Sequence, residues 1–394
     1  MILSYFRHPK LPCFGKLQKR LFHSSIPLAQ LNTGIDLLHQ PDQNSNHSEM
    51  SPTIHILGVG NIGKLCAHSL ATKPQPPPLT LLLHRPQLFH MRKHKETKIG
   101  IYYEGAWHEE GHYDTELIFS RVTGHQNPSK TISNLIVTTK AHKIVEALSS
   151  IKFRLTATST VLFIHNGMGV IEDVNKFVFP DAQDRPHYLF GIASHGVYRS
   201  SPFAAVLAGH GNVTIGNPEI DKEKSPASSY LLQQVVDSEL LQASEVPWDE
   251  FRLLQLQKLA VNAVINPLTA LHDCINGKIV QSLILADMGN IFDDLVSEIS
   301  RVFCSLPELE AISGLKERFS TETLRNIVLD VASVTASNRS SMLQDISNGR
   351  KTEIQSINGY IVKRANKLGI PCPMNEKMVA DIRQKSRDRN LQIN

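Results

Sequence analysis

From Thr53 onward, short apolar runs bounded by turn formers alternate with stretches of helical composition. Ile54-His-Ile-Leu57 leads into the turn Gly58-Val59-Gly60-Asn61-Ile62-Gly63, and helical residues follow over 64–72. The breaker Lys73-Pro-Gln-Pro-Pro-Pro78 then precedes a second apolar run, Leu79 to Leu83. Residues 134–139, 160–164 and 188–192 repeat the theme with helical segments between them, the rhythm of a parallel sheet covered by helices. Residues 203–207 and 212–215 read as a late hairpin around Gly209-His-Gly211. After Trp248 the period changes. Ile284, Met288, Ile291, Leu295, Ile299 and Val302 recur at three- and four-residue spacing, as do Leu324, Ile327, Val328, Val331 and Val334, which predicts long helices. The expected fold class is α/β, with a parallel-sheet domain over 53–247 followed by an all-helical domain over 248–394.

Composition narrows the class of protein. With 394 residues, 41% hydrophobic and 20% charged, the chain can bury two cores. Its longest apolar runs stop far short of the roughly 18 residues a membrane helix requires, so a membrane-spanning role is not expected. The five cysteines are odd in number and scattered, without the paired spacing of a zinc module or a disulfide framework. No cluster of metal ligands is apparent. The net charge of +4 comes from the first 35 residues, which hold Arg7, Lys10, Lys16, Lys19 and Arg20 and no acid. The other 36 basic residues face 37 acidic ones, so the body lacks the basic excess of a nucleic-acid binder. The acid-free leader, with Arg20-Leu-Phe-His-Ser-Ser25, reads as a mitochondrial transit peptide, which predicts import into the matrix. A merely basic tail on a cytoplasmic protein is the alternative. The polar residues that follow, up to Pro52, form a linker, so leader and linker together span 1–52.

The glycine turn carries the first chemical signal. Gly58-x-Gly60-x-x-Gly63 sits between a predicted strand and a predicted helix, where the first glycine permits a tight turn and the second admits a pyrophosphate. The third lets the helix pack closely, and the helix N-terminus faces the phosphates. A dinucleotide site for NADPH is expected, because the second strand ends in His84-Arg85 rather than an acid, and Arg85 can fork onto a 2′-phosphate. Lys140 and Asn166 each follow a predicted strand at the end where such sheets bind ligands. His195 is the tempting catalytic imidazole, yet without a visible acidic partner it reads as structural.

A second signal interrupts an apolar helix. Lys258, Asn262 and Asn266 are successive i+4 positions, so one amine and two amides share a face, and Pro267 predicts a helix end or kink at Asn266. From spacing alone a solvated face is an equal alternative. Amides, however, suit the ketone, hydroxyl and carboxylate of a small substrate. Serine and asparagine in Asn338-Arg-Ser-Ser341 read as caps, and Glu353 as the dipole partner opening the helix that runs to Leu368.

Together these residues resemble the ketopantoate reductase (2-dehydropantoate 2-reductase) family over about residues 54–375. The carrying motifs are the glycine turn, His165-Asn-Gly-Met-Gly169, Lys258-Leu-Ala-Val-Asn-x-Val-Ile-Asn-Pro-Leu-Thr-Ala270, Ser340-Ser-Met-Leu-Gln-Asp-Ile346 and Thr352-Glu-Ile-x-x-Ile-Asn-Gly359. The resemblance implies an N-terminal Rossmann-type domain, an all-helical C-terminal domain and a cleft between them. It assigns NADPH to the glycine turn, Lys140, Asn166 and Glu353, with Val197 at a cofactor position where alanine is common. It makes Lys258 the proton donor and matches Asn262, Asn266, Asn276 and Ser341 to substrate contacts, with Asn338 also at the site. The implied reaction reduces a small 2-keto acid, 2-dehydropantoate, to pantoate on the way to pantothenate. Two alternatives stay open: a reductase of another 2-keto acid on the same fold, and a mitochondrial RNA- or ribosome-associated protein derived from a reductase. Intact Lys258, Asn262 and Glu353 and the balanced charge count against the second. The sequence leaves a homodimer open.

Overall fold

Near-continuous apolar runs make strands that are covered on both faces, and β1 (Ile54–Leu57), where the described fold effectively begins, is buried along its whole length, His55 included. The computed structural model describes residues 51–95, 98–118, 131–218, 226–284 and 289–393. The leader on which the transit-peptide expectation rests lies outside them. Through the first half of the chain follow β2 (Leu79–Leu83), β3 (Ile99–Tyr103), β4 (Ala106–Glu110), β5 (Asp114–Leu117), β6 (Asn134–Val137) and β7 (Thr160–Ile164). The remaining strands are β8 (His187–Ala193), β9 (Gly196–Ser201), β10 (Ala204–Gly209), β11 (Val213–Gly216) and β12 (Ala243–Val246). Between them lie α1 (Asn61–Ala71), α2 (Pro86–Lys95), α3 (Ile144–Ile151), α4 (Val170–Phe177) and α5 (Pro226–Val236).

Eight strands form one sheet in the order β12-β11-β8-β7-β6-β1-β2-β5. Every pairing in it is parallel except β8 with β11. Its β5-β2-β1-β6-β7-β8 portion has the strand order of a doubly wound dinucleotide fold, with the reversal between β1 and β6. The remaining strands form a second sheet, β4-β3-β10-β9, that the apolar pattern did not reveal. The expected late hairpin is therefore corrected. β10 pairs with β9 and β3, whereas β11 pairs with β8 and β12, and the Gly209-His-Gly211 segment carries the chain from one sheet to the other. A short alternating run shows which face is buried but not which strand lies beside it.

From Trp248 the described chain is helical: α6 (Trp248–Leu271), α7 (Gly277–Ile284), α8 (Gly289–Cys304), α9 (Leu315–Arg318), α10 (Thr321–Val334), α11 (Ser341–Ser347), α12 (Asn358–Leu368) and α13 (Pro373–Ile393). The periodic series from Ile284 to Val302 spans two helices, since Ile284 closes α7 and α8 starts at Gly289; Met288 lies outside the described residues. α6 is the spine of this half, and Val264, Leu268, Phe292, Ile299, Val328 and Leu343 pack in one core around it. Pro267 does not end α6, which continues to Leu271, and the expected boundary at Asn266 is corrected on that point.

Candidate active site

The turn after β1 shows three glycines doing three different things. Gly58 holds φ +101°, and a Cβ there would lie 2.7 Å from the backbone nitrogen of Thr139. At Gly63 a Cβ would come within 2.1 Å of the Gly58 carbonyl oxygen, so α1 can pack on the strand only without a side chain. Gly60, by contrast, faces open space, with no atom within 4 Å of its would-be Cβ. The first and third glycines satisfy the protein's own packing, and the second leaves a vacant approach to the N-terminus of α1. That combination fits a pyrophosphate, which needs close backbone and a positive helix end. Asn61 donates from Nδ2 to the carbonyl of Val197 at 3.1 Å, tying the turn to β9. Val59 and Ile62 pack partly buried against the sheet core. Arg85 stands exposed where β2 ends, and burial, then the Arg85 charge, lowers the pKa of the neighbouring His84.

Across the crevice between β1 and β6, the helical half supplies partners for the strand ends. The Glu353 carboxylate accepts from the backbone N–H of Ala141 at 3.1 Å and from Nδ2 of Asn166 at 3.4 Å. Burial raises its pKa, and the Ala141 hydrogen bond and the Lys140 charge oppose the rise. Glu353 does not open the helix to Leu368, as expected from its position; α12 begins at Asn358. It faces instead the start of the short 3₁₀ turn Ala141–Lys143 that leads into α3, a helix N-terminus in the other half. Lys140 makes a 2.5 Å ion pair with the buried carboxylate of Asp345 on α11, and Arg350 holds the other oxygen at 3.2 Å. Behind Asn166 the loop turns through Gly167 and Gly169, both at positive φ, and Met168 donates its N–H to the carbonyl of Ser356 at 2.8 Å. The Met168 side chain packs against the helical core.

The row on α6 lies alongside this junction. Lys258 is half-buried, and its ammonium donates to the carbonyl of Ala193, at the end of β8, at 2.7 Å. Burial pushes its pKa down to about 8, with Glu353 pulling the other way. Asn262 is half-buried and Asn266 is only 6% exposed, so the row is not a solvated face. Successive members sit about 6 Å apart along the axis at 1.5 Å per residue. Asn276, also buried, donates from Nδ2 to Thr335 at 2.9 Å while its Oδ1 has no partner among the described residues. Its N–H reaches the carbonyl of Asn338 at 3.0 Å. Ser340, not Ser341, caps α11; Ser341 is the exposed first residue of that helix. The Ser340 hydroxyl lies 2.7 Å from that of Thr269, which fixes α11 against α6. The sequence-expected residues thus gather in two groups, Lys140, Asn166 and Glu353 with Lys258, and Asn276 with Asn338, while Arg85 stands apart beyond β1.

Two family models match the chain, "Ketopantoate reductase PanE/ApbA" over residues 54–219 and "Ketopantoate reductase PanE/ApbA C terminal" over residues 250–386. A probable 2-dehydropantoate 2-reductase of Schizosaccharomyces pombe is 32% identical over 346 residues, 84% of this chain and 95% of that one. The chain belongs to the ketopantoate reductase family. A ketoisovalerate reductase of Gibberella fujikuroi is 28% identical, covering 86% of each chain. The crystal structure of a probable 2-dehydropantoate 2-reductase from Bacillus subtilis superposes with a TM-score of 0.60 at 26% identity, over 84% of this chain and 99% of that one.

Within this ketopantoate reductase fold, His195 is structural, as expected. Its Nε2 lies 3.0 Å from the Leu241 carbonyl, and its Nδ1 accepts from the Gly211 N–H at 3.1 Å. Reading the sequence missed Lys64, which is 1% exposed on α1 and donates to the carbonyls of Ser201 and Ala204 at 3.1 and 2.6 Å. Burial, then the Arg199 charge, lowers its pKa to about 8. A lysine one residue past the third glycine, on the stretch that must face the sheet, was the available signal. Asp345 was also passed over, because nothing local marks it as the partner of Lys140.

Proposed function

We propose that this protein is an NADPH-dependent 2-dehydropantoate 2-reductase. The observation that carries the reading is the row Lys258, Asn262 and Asn266, half-buried at its first two members and buried at the third, in a chain that also carries a glycine turn shaped for a dinucleotide. Gly58, Gly60 and Gly63 with the N-terminus of α1 would hold the pyrophosphate, and Lys140, Asn166, Val197 and Glu353 would complete the cofactor site. Arg85 would take the 2′-phosphate of NADPH, for which a guanidinium is well matched. The bound nicotinamide supplies a hydride to the C2 ketone of the substrate.

The chain's own part is to bind, orient and protonate. As negative charge develops on the ketone oxygen, Lys258 donates a proton to it; a pKa near 8 keeps the amine protonated at neutral pH yet makes it a better acid than a free lysine. Ala193 O holds the ammonium in place from the sheet side. Asn262, Asn266, Asn276 and Ser341, with Asn338 near them, would orient the carboxylate and hydroxyl, a proximity effect.

The ketoisovalerate reductase relative supports a second reading, in which the substrate lacks the hydroxymethyl group of 2-dehydropantoate. The two differ in that hydroxymethyl group, and a site built to hydrogen-bond its hydroxyl rejects the analogue by roughly 10⁴-fold. Turnover of both 2-keto acids at saturating NADPH separates them: a strong preference for 2-dehydropantoate is expected, and equal turnover would remove the pantoate assignment.

A further inference from the structure

Proline has no N–H, so within a helix the carbonyl four residues earlier loses its partner. In α6 that carbonyl belongs to Ala263, a fully buried residue, where an unmet acceptor is costly. The structure supplies a replacement from outside the helix. Nδ2 of Asn358, itself fully buried at the start of α12, donates to Ala263 O at 2.8 Å. The same amide donates its second hydrogen to Oδ1 of Asn375 at 3.0 Å. Asn375 is held in turn by Glu298, whose Oε2 accepts from its N–H at 2.9 Å and its Nδ2 at 2.8 Å, while Oε1 accepts from the N–H of Met374 at 2.8 Å. A side-chain amide anchored on α8 and α13 thus takes the place of a missing backbone bond, and α6 continues to Leu271.

The turn it closes, from Ala263 to Pro267, carries Asn266 and directly follows Asn262. We infer that Asn358 is a positioning residue for the 2-keto acid site, holding the Pro267 turn so that the two amides are presented from a continuous helix. The inference rests on the reading that Asn262 and Asn266 bind the substrate. The Asn358 side chain hydrogen-bonds to Ala263 and Asn375, and among the described residues to no group of the glycine turn, Lys258 or Glu353, so its effect is expected on the substrate rather than on the cofactor.

The test is a double-mutant cycle on the full chain with Asn358→Ala and Pro267→Ala, which gives position 267 back its N–H. Asn358→Ala alone should lower kcat/KM for 2-dehydropantoate by about 10- to 100-fold, as misplaced binding groups do, with NADPH Kd unchanged. In the Pro267→Ala background the same change should cost about threefold or less, because the backbone supplies the donor; independent residues would instead give losses equal within about twofold. Equal losses in both backgrounds, or a loss shared by NADPH Kd, would overturn the inference. If Asn358→Ala is not recovered folded, the double variant should be, and failure of both also overturns it. Asn262→Ala is measured alongside. If that variant keeps wild-type kinetics, the substrate reading fails and the positioning role with it; if it is impaired while the cycle is additive, only the positioning role fails.

Discussion

The two sides of the cleft are built from opposite materials. On the sheet side the decisive feature is missing matter: Gly58 and Gly63 are required because side chains would collide with Thr139 and with the turn itself, and Gly60 leaves space. On the helix side the decisive feature is added chemistry, an amine and two amides on one face of α6 that is largely withdrawn from solvent. Substitutions on the first side should act through shape and reach the fold. Those on the second should act through protons and hydrogen bonds and spare it.

The sharpest break of that contrast is Lys258→Ala, expected to lower kcat by roughly 10²–10⁴ with NADPH affinity little changed. In the wild type, activity should be full below pH about 8 and fall as pH rises through it, because the protonated amine is the donor and burial has lowered its pKa. A folded Lys258 variant with near-normal turnover, or a rate flat across that range, would count against the proton-donor role. Next in size is the pair Gly63→Ala and Gly60→Ala. The first should destabilise the fold by about 1–3 kcal/mol or more through overpacking, read by thermal unfolding. The second should leave Tm alone and weaken NADPH binding, and equal Tm losses in both would erase the distinction between the glycines. Smallest is Arg85→Ala, which should shift the NADPH to NADH preference by roughly 10- to 100-fold, the worth of a charged hydrogen bond. An unchanged ratio would take Arg85 out of the cofactor site.

What the sequence made legible follows the same divide. Glycine spacing and the amine-amide row are local patterns, and both stand where the pattern put them. The second sheet was invisible because β3 pairs with β10 about a hundred residues later, and no local period encodes that partnership. Pro267 was misread for the same reason: helix rules describe one chain segment, and the donor that lets α6 continue lies on α12. Glu353 has the residue type of a dipole partner, but the helix it faces is in the other half of the molecule. Lys64 was overlooked because a lysine is ordinarily a surface residue, and only the two carbonyls above it explain its burial.

Those carbonyls also set an order of assembly. The glycine turn is complete as covalent sequence by Gly63, but the groups that brace it, Val197 O for Asn61 and Ser201 O and Ala204 O for Lys64, lie more than 130 residues downstream. A nascent chain, or a truncated one, that ends before Ala204 therefore holds every residue of the turn and only part of its scaffold. During synthesis the cradle closes when the β9–β10 ribbon arrives, a step of high contact order and intrinsically slow. Until then the Lys64 ammonium has neither carbonyl and must keep its water.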